Sequence, residues 1–129
     1  MRFVLGLFIF LSMITVANAQ QHGYASYYSK PQRVASGGVY NPNAYTAAHK
    51  TLAFGTRVLV TNKLNGKSVT VTINDRGPFV RGRVIDLSLV AAKQIAMTKA
   101  GVVPVIVEVQ SGRSKPTKLK SNKSNRSRK

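Results

Sequence analysis

Apolar and polar positions alternate with a two-residue period through most of residues 23–109. Along residues 23–28, Tyr24, Ser26 and Tyr28 fall on one face and Ala25 and Tyr27 on the other, as in a half-buried strand. Residues 56–61 set Val58 and Val60 against Arg57, Leu59 and Thr61, and residues 68–73 turn Val69, Val71 and Ile73 one way. Between them Asn65-Gly66 reads as a hairpin turn, because both residue types tolerate positive φ. The return strand leads straight to a loop carrying Asp75. Helical spacing occurs once, in residues 88–97, where Leu89, Ala92, Lys93 and Ala96 repeat behind a capping Ser88. Residues 102–109 form a last strand, with Pro104 near its start, where a missing donor is tolerated. Residues 29–44 are rich in Ser, Gly, Pro and Asn and read as a long loop. Five or six short strands and one helix predict a mainly β domain, closed into a small barrel that leaves no exposed edge.

The two ends differ from this pattern. Residues 1–19 hold Arg2, an apolar run from Phe3 to Leu11 and the small-residue pattern Ala17-Asn18-Ala19. That is a secretory signal peptide with cleavage expected before Gln20. A membrane anchor needs about 20 consecutive apolar residues, and Ser12, Thr15 and Asn18 interrupt this run. The folded domain is expected over residues 20–110, as an exported monomer in the periplasm or outside the cell. Residues 111–129 carry eight Lys and Arg, no acid and one large apolar residue, Leu119, so a disordered tail is expected. In the cytosol such a tail would suggest nucleic acid. Behind a signal peptide it points to anionic envelope polymers or lipid head groups, or to a merely solubilising extension, and no nucleic-acid partner is expected.

Charge sharpens the picture. Twenty Lys and Arg stand against three acids, Asp75, Asp86 and Glu108, giving a net charge of +17. The absence of cysteine excludes disulfides, thiolate metal sites and cysteine nucleophiles. Two histidines, His22 and His49, do not make a zinc site, so no metal or other cofactor is expected. Asp75 lies between Asn74 and Arg76 before Gly77-Pro78. It is either placed for chemistry or caps the turn and pairs with Arg76.

Three separated motifs bear on this choice. Thr46-Ala47-Ala48-His49-Lys50-Thr51-Leu52-Ala53-Phe54-Gly55-Thr56 is followed by Asn74-Asp75-Arg76-Gly77-Pro78-Phe79 and then by Ile85-Asp86-Leu87-Ser88. Together, over residues 23–109, they resemble the rare lipoprotein A (RlpA) family. The resemblance implies a six-stranded double-psi β-barrel with one short helix, acting on peptidoglycan glycan strands as a lytic transglycosylase. Such an enzyme can manage with one acid. The acid protonates the bridging oxygen, and its carboxylate then takes the proton of the C6 hydroxyl as that oxygen closes a 1,6-anhydro ring on the muramic acid. A chain with three acids suits this better than hydrolysis with two carboxylates.

The resemblance assigns the acid/base role to Asp75, which must start protonated, and a functional position to His49, which could bond the catalytic carboxylate or a substrate hydroxyl. The plainer role for His49 is a satisfied buried polar group. Asp86 is the second candidate acid, since expansin-like double-psi proteins depend on an acid in a similar Asp-Leu-Ser setting; otherwise it caps the helix. Tyr28, Tyr40, Thr46 and Arg76 are the expected substrate contacts, aromatic rings with polar edges being suited to sugar faces. The chain departs from the family in two ways. It lacks the lipid-bearing cysteine, so a lipid anchor is not expected. And where members carry Ser-Gly-Glu eleven residues before the histidine, this chain has Ser36-Gly37-Gly38. If that Glu is essential, the protein is a non-catalytic wall-binding or wall-loosening module.

Overall fold

The structure, a computed structural model, describes residues 20–110. The expected signal peptide and basic tail lie outside the described residues. Six strands, β1 (Gln20–Tyr27), β2 (Thr46–Ala48), β3 (Arg57–Asn62), β4 (Ser68–Asp75), β5 (Arg83–Leu87) and β6 (Val103–Val109), surround one core, with helix α1 (Leu89–Gln94) between β5 and β6. The strands close in the order β1-β5-β2-β4-β3-β6. Two neighbouring pairs, β1 with β5 and β2 with β4, run parallel, and the other four run antiparallel. Parallel neighbours need crossover connections, so the loops that follow β1 and β2 must pass over the barrel rather than turn back.

Alternation fills the interior. Val58 and Val60 of β3, Val69, Val71 and Ile73 of β4, and Val103, Val105 and Val107 of β6 all point inward and are buried. On β4 the inward row does not stop at Ile73: Asp75, two residues on, occupies the next buried position. The strand that builds the core thus delivers a carboxylate to its rim.

Two register shifts shape the same rim. Ala47 faces Ile73 while Ala48 faces Asp75, and Tyr24 faces Arg83 while Ala25 faces Ile85, so Asn74 and Val84 are extra residues on their strands. Such bulges bend a strand and re-aim its side chains. The second one requires a glycine opposite it, because a Cβ on Gly23 would lie 2.4 Å from a Val84 methyl.

Several local expectations change. β1 begins at Gln20 rather than residue 23, and Tyr28 falls just past its end. The β3–β4 connection is a five-residue loop over residues 63–67, in which Gly66 but not Asn65 takes positive φ. Asn62 and Asn65 both donate to the Ile95 carbonyl (3.0 Å each), which ties this loop to the helix end. The helix is shorter than residues 88–97. Ala96 adopts φ 53°, its N–H reaches the Lys93 carbonyl (3.0 Å) and the Met97 N–H reaches the Ala92 carbonyl (3.1 Å), a Schellman closure that buries Ile95 and Met97. Ser88 stands at the N-cap but does not cap; its hydroxyl accepts from the Thr46 N–H (3.4 Å).

Candidate active site

Asp75 is the best-held acid of the chain. It is 9% exposed, and Oδ1 accepts N–H groups from Ala35 (2.8 Å) and from Arg76 (2.9 Å). Oδ2 accepts from the Tyr28 hydroxyl. Burial, and then the bond to Asp75, push that hydroxyl far above the usual phenol range, so Tyr28 stays protonated and acts as donor. Oδ1 is filled by two backbone donors, and Oδ2 is oriented by Tyr28. The Ala35 donor comes from the long loop. That loop is ordered by an Arg33–Val39 bridge, by turns at Gly37 (φ 105°) and Gly38 (φ 95°), and by a Ser36 N–H bond to the Asn74 carbonyl (3.1 Å).

Asp75 opens into a cleft of roughly 240 Å³ whose walls include Tyr28, Arg76, Phe79, Arg83 and Asp86. The two candidate acids therefore share one cleft, although they come from different strands. Asp86 Oδ1 accepts from the Arg83 guanidinium (2.7 Å) and from the Ser26 hydroxyl, and Arg83 also donates to Ser26. Asp86 is thus engaged in an ion pair and does not cap α1. In a regular strand Arg83 and Asp86 would face opposite ways; the bulge at Val84 brings them to one side. Phe79, 82% exposed, stands at the cleft edge with its ring against Gly77.

The His49 imidazole does not bond to the Asp75 carboxylate, one of the two partners the sequence suggests for it. His49 Nε2 pairs with Gln21 Oε1 (2.7 Å), and Nδ1 accepts from the N–H groups of Thr51 and Leu52 (3.2 Å each). The imidazole lines a separate hollow with Gln21, Leu52 and Val107, and only the His49 backbone N–H reaches Asp75, at its carbonyl (3.1 Å). A proton on Nδ1 would face two N–H donors. Burial first, then the charges of Arg76 and Lys50, lower the His49 pKa from the usual 6.5. The fold favours neutral His49, so its contribution to stability is present above the ordinary value and is lost as pH falls through the depressed one. Thermal melts at pH 7.5 and 5.5 should show a drop for the wild type that His49→Gln largely abolishes. An equal drop in both would assign the acid sensitivity elsewhere.

Arg76 lines the cleft with its head group committed elsewhere. Nη1 donates to the carbonyls of His49 (3.1 Å) and Leu52 (2.7 Å), and the guanidinium lies 4.1 Å from the Phe54 ring centroid. It forms no side-chain ion pair with Asp75; the pairing considered from the sequence reduces to its backbone N–H. His49 and Arg76 together hold the 49–54 segment behind the acid.

Comparison with known proteins fits this geometry. Residues 20–107 match the protein family described as "Lytic transglycolase". The chain belongs to the RlpA family. It is 55% identical over 92 residues to a probable endolytic peptidoglycan transglycosylase RlpA of Nostoc, covering 67% of this chain and 25% of that protein. It is 54% identical over 90 residues to the RlpA transglycosylase of Pasteurella multocida (67% and 31%), and 44% identical over 108 residues to that of Vibrio cholerae (81% and 41%). The chain thus spans between a quarter and about two fifths of the length of these relatives. Among solved structures, the Streptomyces papain inhibitor superposes with a TM-score of 0.59 at 23% identity, covering 70% of this chain and 94% of that one. A mutant of Clavibacter michiganensis expansin in complex with cellohexaose gives 0.59 at 23% identity (77% and 54%). These neighbours and the closed six-stranded order establish the double-psi barrel.

In this RlpA-type barrel the remaining expected contacts sit apart from the acid. Tyr40 is buried; its ring lies 4.9 Å from that of Tyr28, and its hydroxyl accepts the Leu89 N–H (2.8 Å), taking the capping role expected of Ser88. Thr46 lies in β2 opposite Thr72, and its backbone bonds Ser88 and Ala44, away from the cleft. Arg83, Ser26 and Phe79 were not singled out as site residues. Ser26 shares a face with Tyr28 in the strand that the sequence predicts over residues 23–28, and so is within reach of the period-two pattern. Arg83 was not, because its position depends on the bulge.

Proposed function

We propose that this barrel is a lytic transglycosylase of peptidoglycan with Asp75 as general acid and then general base. The observation that carries the reading is the setting of Asp75: a buried carboxylate at the end of the core strand, one oxygen saturated by backbone donors and the other oriented by Tyr28 into a cleft. Family membership supplies the substrate class, since the relatives are named peptidoglycan transglycosylases. In the reaction, Asp75 Oδ2 gives its proton to the bridging glycosidic oxygen as the bond to C1 breaks. The C6 hydroxyl oxygen of the same muramic acid then bonds to C1 and loses its proton to the Asp75 carboxylate, which restores the acid. Asp86, held by Arg83 and Ser26, places negative charge beside the oxocarbenium-like centre. Phe79 offers an exposed ring for a sugar face. We read the chain as exported, its basic tail attracted to anionic envelope polymers.

A second reading rests on Gly38. The loop that holds Asp75 carries no carboxylate, and Gly38 sits at φ 95° with open space around its would-be Cβ, so a side chain there meets strain but no clash. On that reading the cleft binds glycan and leaves it intact. Incubation with purified glycan strands, followed by size separation and by pull-down, distinguishes the two. Shortened strands are expected; strands of unchanged length that retain the protein would establish binding alone.

A further inference from the structure

Beside the acid's cleft lies a second hollow of about 340 Å³, walled mainly by apolar surface from Tyr27, Tyr28, Pro31, Tyr40, Pro42 and Leu89. Tyr28 belongs to both. A third depression, with Ser29, Lys30, Gln32 and Asp86 on its walls, shares lining residues with both the hollow and the cleft of Asp75. The hollow is built rather than incidental. The Tyr28 and Tyr40 rings lean together at 43°, and each is fixed by its hydroxyl, Tyr28 on Asp75 and Tyr40 on the Leu89 N–H.

We propose that this hollow is a subsite for an N-acetylated pyranose of the same glycan strand, with the acetamido methyl against the tyrosine and proline walls. The proposal rests on the glycan reading of the cleft and adds a specificity to it. A sugar carrying only hydroxyls can stack its C–H face on the tyrosine rings but leaves the rest of the apolar wall facing its hydroxyls. An acetamido group brings a methyl to cover them, while its N–H and carbonyl can turn to the exposed Ser29 and Lys30 at the rim. Because the ring of Tyr28 forms the shared wall and its hydroxyl holds Asp75, a sugar seated here also steadies the acid.

The test titrates the isotope-labelled full chain with chitotetraose and with cellotetraose, which has a hydroxyl where each acetamido group would be, while strand cleavage is followed in parallel. Chitotetraose is expected to shift the amides of Tyr28, Ser29, Lys30 and Leu89 and to bind about tenfold or more tightly than cellotetraose, the scale on which an apolar pocket discriminates small groups. Ser29→Phe, placed at an exposed loop position, should narrow the hollow, weaken chitotetraose about tenfold and raise the KM for strands more than it lowers kcat. Pro42→Ala removes part of the wall and keeps the carbonyl that accepts the Val90 N–H (3.0 Å), so it serves if Ser29→Phe does not fold. Equal affinity for the two tetramers, shifts confined to the Asp75 cleft, or an alkyl detergent that marks the hollow in place of the sugar would overturn the proposal. If strands stay intact while chitotetraose marks the hollow, the cleavage reading fails and the subsite stands. If strands are cut while the hollow stays unmarked, the subsite alone fails.

Discussion

Asp75→Asn is expected to stop glycan cleavage while leaving a folded barrel that still holds its substrate. The side-chain oxygen of Asn can keep the two backbone donors, Ala35 and Arg76, that Oδ1 accepts now. Its amide can face Tyr28, whose hydroxyl rotates to accept instead of donate. What disappears is a group that can give and retrieve a proton. General acid–base residues contribute about 100- to 10,000-fold, so turnover should fall by that much with glycan binding nearly unchanged. Asp86→Asn should cost less, and mainly by releasing Arg83 and Ser26. Rates and binding measured on both variants check the ranking: full activity in Asp75→Asn with loss in Asp86→Asn would transfer the role to Asp86.

Ile73→Ala should be the most damaging single truncation near the site. Ile73 is fully buried, its N–H donates to the Thr56 carbonyl (2.8 Å), its own carbonyl accepts from Gly55 (2.8 Å), and it sits one inward position before Asp75. The closed barrel around it can collapse only partly onto the space left behind. Buried Ile→Ala changes cost about 2–5 kcal/mol. For a domain of this size that lowers the melting temperature by roughly 10 °C or more. Thermal denaturation followed by circular dichroism measures it; a shift of only a degree or two would mean that the interior is loosely packed at this rim.

The stripes on β3, β4 and β6 were legible because each is long enough for its two-residue period to show, and the inward row Val69, Val71, Ile73 already points to Asp75 as its next member. β2 was not legible: three residues carry no period, and its partners β4 and β5 are set by the crossovers. The helix end was missed because an Ala, not the usual Gly, takes the positive-φ position. Asp75, Asp86 and Tyr28, all named from the sequence, line one cleft. The direction of the His49 and Arg76 side chains could not be read from motif order. Both bond to groups brought near by the fold, Gln21 of β1 and the carbonyls of the 49–52 segment. Arg83 was hidden for a related reason, since a register shift against Tyr24 and Ala25 turns it toward Asp86.

In the proposed mechanism Asp75 drives cleavage with the substrate's own C6 hydroxyl as nucleophile, so water takes no part in the bond-forming step. Digesting purified glycan strands in heavy-oxygen water, with mass analysis of the new ends, tests this directly. 1,6-Anhydro-muramyl ends free of the heavy isotope are expected, and they should be absent when Asp75→Asn replaces the wild type. Reducing ends that carry heavy oxygen would show a hydrolase, and strands left uncut by the wild-type protein would contradict catalysis altogether.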